Sequence, residues 1–303
     1  MTEHVAGAVE TQAWPPMPLS EWQDTKDTLH MVTQVVGKLR LALSPPEPQW
    51  GHVALYVTAR GLTTTPVPAP TGGSFDVELD LLDHVVVLRR SDGRLARVPL
   101  EARPVADTYA ELMEALRGLD VEVAISPLPS EVPDPVPFAE DRVHSTYEPE
   151  AVERFFGVLS RIDLIFKEHR GSFRGRTTPV NFWWGSFDLA LTRFSGRPTE
   201  PPPGSDSIFA AAMDAEEVSA GFWPGYEAFP DPAFYAYAYP RPDGIERVAI
   251  AAEAAYWDDD LGEFILRYED VRQSPSPRKA ILDFLESTHH TCARMCGWGA
   301  ELC

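Results

Sequence analysis

The segment from Ser20 to Leu43 constrains this chain most. Leu29, Val32, Val36, Leu39 and Leu43 recur at helical spacing, and Ser44-Pro45-Pro46 ends any helix there. Ser20 with Gln23 fits a capping box, so the pattern predicts a helix from Ser20 to about Leu43. A helix of that length has to bury its stripe against another layer. Beside the stripe run His30 and Gln34, four apart, with Gly37, Lys38 and Arg40, an unusual polar load next to a core face.

Strand-like segments follow. His52 to Arg60 is rich in β-branched and aromatic residues, Phe75 to Leu81 alternates, and His84 to Arg90 is apolar with a basic end. Ser91-Asp92-Gly93 reads as a hairpin turn returning through Arg94 to Leu100. The pattern then predicts a helix from about Val105 to Leu119 and a strand at Val121 to Ile125. Five prolines between Pro127 and Pro137 read as a linker. Beyond it, Pro149 to His169 is helical, with Phe155, Leu159, Ile162 and Phe166 in a stripe, and Phe182 to Phe194 is strand-like.

The second half repeats the order of the first. Pro45, Trp50, Gly51, Leu55 and Thr58 match Pro179, Trp184, Gly185, Leu189 and Thr192 at a constant offset. Gly93, Arg103, Leu112 and Leu116 match Gly262, Arg272, Ile281 and Leu285 at a larger one. The expectation is an α+β fold of internally duplicated helix–antiparallel strands–helix units forming a pseudo-two-fold molecule. Its parts are a flexible N-terminus (1–17), a first α+β repeat (18–126), a Pro-rich linker (127–148) and a second α+β repeat (149–303). The expected cleft lies where the halves meet.

Charge narrows the partners. Asp plus Glu number 46 against 26 for Lys plus Arg, a net charge of −20. Nucleic acid and anionic membrane are disfavoured, because both are bound through basic surfaces. No basic, then apolar, leader opens the chain and no apolar run is long enough for a membrane span, so a cytoplasmic location is expected. Cys292, Cys296 and Cys303 crowd the C-terminal end and do not read as a disulfide framework.

Several segments together resemble an uncharacterised bacterial family catalogued as domain of unknown function 5996. They are Trp14 to Leu43, Val53 to Val67, Glu140 to Tyr147, Phe182 to Arg197 (FWWGSFDLALTRFSGR), Ala220 to Gly225 and Phe234 to Pro240. The resemblance implies no established activity. It implies a histidine in relatives where this chain has Asn181, and relatives without the Cys-rich C-terminus.

Candidate chemistry rests on a few residues. His30 is placed for proton transfer near neutral pH, and Arg60, expected at a strand end beside Gly61 and Thr63 to Thr65, for clamping a carboxylate or phosphate. These two are the candidate catalytic residues. Gln34, Trp50, His52, Asn181, Trp184 and Trp223 are the candidate substrate-binding residues. The bland alternatives are a helix contact in which His30 and Gln34 satisfy backbone groups, and an ordinary ion pair for Arg60. Tyr235, Tyr237 and Tyr239 line one strand face, either against a ligand ring or packed at a sheet edge. Phosphate-loop, dinucleotide, HExxH and GxSxG signatures are absent, and neither the His289, Cys292, Cys296 spacing nor His30, His52 and His84 makes a convincing metal site. No metal is assigned, and cofactor and oligomeric state stay open. The expected function is an enzyme acting on a small organic molecule by acid–base chemistry in the cleft; the alternative is a non-catalytic small-molecule-binding protein.

Overall fold

The computed structural model describes residues 14–201, 203–205 and 207–303. Six α-helices and two antiparallel sheets among them make the fold α+β. The chain divides into two compact units. Among the described residues, the first comprises 20–160 and 181–187, and the second 14–19, 161–180 and those from 188 on.

The first unit is built around helix α1 (Gln23–Leu43). It starts three residues later than the capping box implied: a short 3-10 turn occupies Leu19–Glu21, and no side chain caps the helix. Its end is as expected, with the Ser44 N–H bonded to the Arg40 carbonyl before Pro45. Leu29, Val32, Val36 and Leu39 are buried, but so are Lys26, His30, Gln34, Lys38 and Arg40 on the other sides.

The first sheet holds β1 (Tyr56–Val57), β2 (Gly61–Thr63), β3 (Val67–Pro68), β4 (Ser74–Asp80), β5 (Val85–Arg90) and β6 (Leu95–Pro99). The path runs β1-β2-β4-β5-β6, with β3 on β4. The strand expected over His52 to Arg60 is mostly not one. Trp50 ends a 3-10 turn (Pro48–Trp50), and the Thr58 hydroxyl accepts the Arg60 and Gly61 N–H groups, turning the chain after two strand residues. Helix α2 (Val105–Gly118) ends where expected, but Val121 to Ile125 forms no strand. Asp120 takes a positive φ and the Val121 N–H bonds back to the Leu116 carbonyl, a helix-closing loop that leaves the segment irregular. Within 127–148, Phe138 and Asp141 are fully buried. Helix α3 (Pro149–Ser172) follows, its residues to Ser160 belonging to this unit.

The segment Phe182 to Phe194 is two strands, not one. β8 (Asn181–Trp183) precedes a turn at residues 184–187, in which Phe187 has a positive φ. In the first unit, Phe182 and Leu55 exchange backbone hydrogen bonds of 2.8 and 2.9 Å. Trp184 then lies flat against α1: a Cβ on Gly37 would stand 2.1 Å from its ring.

In the second unit, β7 (Arg176–Thr177), β9 (Asp188–Pro198), β10 (Ala215–Trp223), β11 (Ala233–Tyr239), β12 (Tyr256–Asp258) and β13 (Glu263–Arg267) form a sheet ordered β12-β13-β11-β10-β9-β7. Short helix α4 (Ser207–Ala212) precedes β10, and α5 (Tyr268–Gln273) and α6 (Pro277–Met295) close the unit. Helix α6 packs on β10 and β11, and Phe166 of α3 stacks near Phe234. Of the N-terminal stretch expected to be loose, residues 1–13 lie outside the described residues. Trp14 and Met17 are buried, the Trp14 ring beside Tyr268, whose hydroxyl donates to the Pro15 carbonyl.

The face of this sheet carrying Thr192, Glu217, Ser219, Tyr235 and Tyr237 is polar, with the first four buried and Tyr237 half-buried. Gly221 makes room for the Tyr235 ring, which a Cβ would meet at 2.3 Å, and the phenol donates to Asp188. Burial pushes Glu217 up to about 8 and Glu263 up to about 7. On the helix side, burial lowers His169, and lowers His289 to about 3.

Gly93 and Gly262 each sit at positive φ in the hairpin before a helical segment. Gly37→Ala should destabilise the first unit by about 1–3 kcal/mol, because a packed indole has to move. A lowered thermal midpoint with native-like circular dichroism is the expected measurement; an unchanged midpoint contradicts this packing.

Candidate functional site

The polar residues of α1 at 30, 34 and 38 form one row, because helical neighbours recur every four residues. His30 Nε2 lies 2.9 Å from the Trp184 carbonyl and 3.0 Å from that of Gly185. Two acceptors place the ring proton on Nε2. Gln34 grips a different stretch of main chain: its amide donates to the Ser130 carbonyl (2.7 Å), and its Oε1 accepts the Ser130 N–H (3.0 Å). Burial lowers His30 to about 4, helped by the Lys26 charge. The imidazole is therefore neutral at pH 7, with its N–H spent on backbone.

Of the expected site residues, His30, Gln34 and Trp184 thus come together on α1, and Trp184 Nε1 donates to the Val53 carbonyl (2.8 Å). Asn181 is 1% exposed, and neither of its polar atoms has a hydrogen-bond partner among the described residues. Arg60 lies in the turn after β1, its guanidinium committed to Asp80 and, at 2.8 Å, Asp83. Trp223, in the second unit, stacks on Tyr235 at 4.8 Å.

Trp50 and His52 stack at 5.7 Å and lead to a pocket of 460 Å³ inside the first unit. It is lined by Arg40, Ser44, Pro45, Glu47, His52, Tyr56, Thr65, Pro66 and Pro68. That volume lies within the roughly 300–1,000 Å³ of small-molecule sites. Arg40 reaches it from the last turns of α1. Its Nε donates to the His52 carbonyl (2.8 Å), and its Nη1 to the Thr64 carbonyl and to Thr65 Oγ1 (2.8 Å). The guanidinium stands 5.3 Å from the Tyr56 ring centre and hydrogen-bonds the phenol. Burial lowers the Arg40 pKa and raises that of Tyr56.

His52 Nδ1 accepts the Glu47 N–H (3.1 Å), which leaves its proton on Nε2, and burial lowers its pKa. Thr65, Gln49 and Trp50 all have positive φ. For a β-branched residue such as Thr65 this is an outlier of about 1–3 kcal/mol, a kind of strain that collects at ligand sites.

Sequence reasoning placed the anion-binding guanidinium at Arg60; in the structure Arg60 is ion-paired and Arg40 faces the pocket. Arg40 was visible as an odd charge at the end of a buried helix, but Tyr56 and Glu47 gave no local signal. Among the described residues no group of three His, Cys, Asp or Glu side chains is arranged to hold a metal ion. Burial pushes Cys292 up to about 12, an unreactive thiol.

A family model described as a family of unknown function (DUF5996) matches residues 14–303, and the chain belongs to that family. No curated protein and no solved structure matches it. Among the described residues no helix is long and apolar enough to cross a membrane.

The pKa of His30 makes a pH prediction. An imidazole depressed on folding binds its proton more readily in the unfolded chain, so stability falls as pH drops from about 6.5 to about 4. The loss amounts to at most about 3 kcal/mol. His30→Gln keeps a donor for the two carbonyls and removes the titration. Denaturant midpoints measured across this range should fall less steeply in the variant; equal slopes contradict the assignment.

Proposed function

We propose that the protein binds a small organic anion in the Arg40 pocket. The observation carrying this reading is the Arg40 guanidinium, 6% exposed, whose hydrogen bonds at the pocket wall go to neutral oxygens. The carboxylate that acts on it is that of Glu47, which is exposed to solvent, and a buried cation answered from the solvent side favours a ligand that brings further negative charge. Among the lining residues Glu47 has the sole carboxylate, and it is exposed. The His52 Nε2–H and the Ser44 and Tyr56 hydroxyls add donors, and Pro45, Pro66 and Pro68 supply stiff apolar walls.

This reading favours binding over acid–base catalysis at the pocket, since His52 is neutral with its Nδ1 already occupied. His30 likewise supports anchoring of the 184–185 backbone better than proton transfer to a substrate. With a net charge of −20, no nucleic-acid partner is proposed. Duplication remains part of the proposal. It is supported by the shared order of helix, antiparallel strands and helix, and by the hairpin glycines Gly93 and Gly262.

Calorimetric titration with inorganic phosphate and with mono- and dicarboxylates tests the pocket. Saturable binding of at least one anion is expected. Arg40→Lys removes the planar fork and should weaken binding by about 10-fold or more. Tyr56→Phe, which removes the phenol partner of the guanidinium but keeps its charge and its bonds to the His52 and Thr64 carbonyls, should weaken it less. Anions that bind both variants as tightly as the parent, or no anion binding at all, would overturn the proposal.

A further inference from the structure

Lys38 and Arg40 are two residues apart on α1 and so leave it on different sides. Lys38 is 2% exposed, and its Nζ is 2.9 Å from Ser130 Oγ. Ser130 itself is half-buried. We propose that Ser130 and Lys38 form a serine–lysine acyl-transfer centre, with Ser130 the nucleophile toward a carboxylic ester and Lys38 its general base.

The surroundings are those of a held nucleophile. Gln34 fixes the main chain of Ser130 from both sides, through carbonyl and N–H, and acts as a positioning residue. Glu131, immediately after Ser130, has a φ of 58°, a strained conformation beside the hydroxyl. The Trp184 ring lies 5.3 Å from Lys38 Nζ and covers it. Desolvation lowers the Lys38 pKa, which favours the neutral amine a base requires; the Glu131 charge opposes this. Toward Lys38 the other elements therefore present the Glu131 carboxylate, the Ser130 hydroxyl and the Trp184 ring, and α1 presents the neutral Gln34 one turn back. A serine with a lysine base is a known variant of nucleophilic catalysis on unrelated folds. No family motif or matched protein assigns it here.

The chemistry balances with water as co-reactant. Ser130 Oγ forms a bond to the ester carbonyl carbon while its proton passes to Lys38 Nζ. The carbon–oxygen bond to the alcohol then breaks, and the leaving oxygen takes that proton. Water attacks the acyl-serine next, again giving a proton to Lys38. The acid departs, and Ser130 regains its hydrogen.

A fluorophosphonate probe on the full chain, with peptide mass spectrometry, tests this independently of the Arg40 pocket. An adduct on Ser130 is expected, forming faster as pH rises from neutral to mildly alkaline. Ser130→Ala should abolish it. Lys38→Met should slow it at least about 100-fold, the usual contribution of a general base, with folding checked by circular dichroism. Should Lys38→Met fail to fold, the pH profile of the parent decides. No adduct on Ser130, an adduct with a flat profile, or unchanged labelling in folded Lys38→Met would overturn the proposal. A role for Lys38 confined to anchoring the loop predicts no labelling at all.

Discussion

A helix buried on all sides can carry charge only if the rest of the structure answers each charged group. Helix α1 holds Lys26, His30, Gln34, Lys38 and Arg40 at less than a tenth of their free exposure. An unanswered polar group in such a place costs about 1–3 kcal/mol, and a charge more. The answers come from chain far away in sequence: the 184–185 carbonyls for His30, both ends of the Ser130 peptide unit for Gln34, and the Thr64 and His52 carbonyls for Arg40. The turn after β8, the proline-rich stretch and the β2–β3 connection are thereby pinned to one helix.

Most of those contacts are to main chain. They fix where segments run without dictating side chains there, so the segments stay free to vary in sequence while holding their course. Where a side chain does answer, as Ser130 does for Lys38 and Tyr56 for Arg40, a reactive or ligand-facing group results. Structure and chemistry on α1 thus follow from the same requirement.

How much of this was legible in the sequence depends on range. The end of α1, the β4–β5–β6 meander and the two long helices after it follow from local periodicity and turn residues, and the structure has them within a few residues. The stretch His52 to Arg60 misled because β-branched and aromatic residues mark burial as much as extension. Val53, Ala54 and Leu55 are buried, but the chain turns at Thr58. The strip beside the α1 stripe is buried like the stripe itself, and its His30 and Gln34 bond backbone groups. Its partners at 130, 131, 184 and 185 were not readable, since pairing across about 100 to 150 residues leaves no trace in spacing. Arg60 and Arg40 show the same limit: Arg60 has the threonines beside it in sequence, yet in the folded chain it meets Asp80 and Asp83, while Arg40 is the one that reaches Thr64 and Thr65.

The buried ionisable groups also give the two units different responses to acid. In the second unit Glu217 and Glu263 keep protons that the unfolded chain would shed, while His169 and His289 refuse protons that it would take up. Between the usual carboxylate and imidazole ranges these contributions oppose one another. In the first unit His30 and His52 are both depressed, and so are the carboxyls of Asp80 and Asp92. Mild acid thus meets opposed contributions in the second unit and two depressed imidazoles in the first. Charging His30 and His52 in acid therefore works against the packing of α1 and against the wall of the Arg40 pocket.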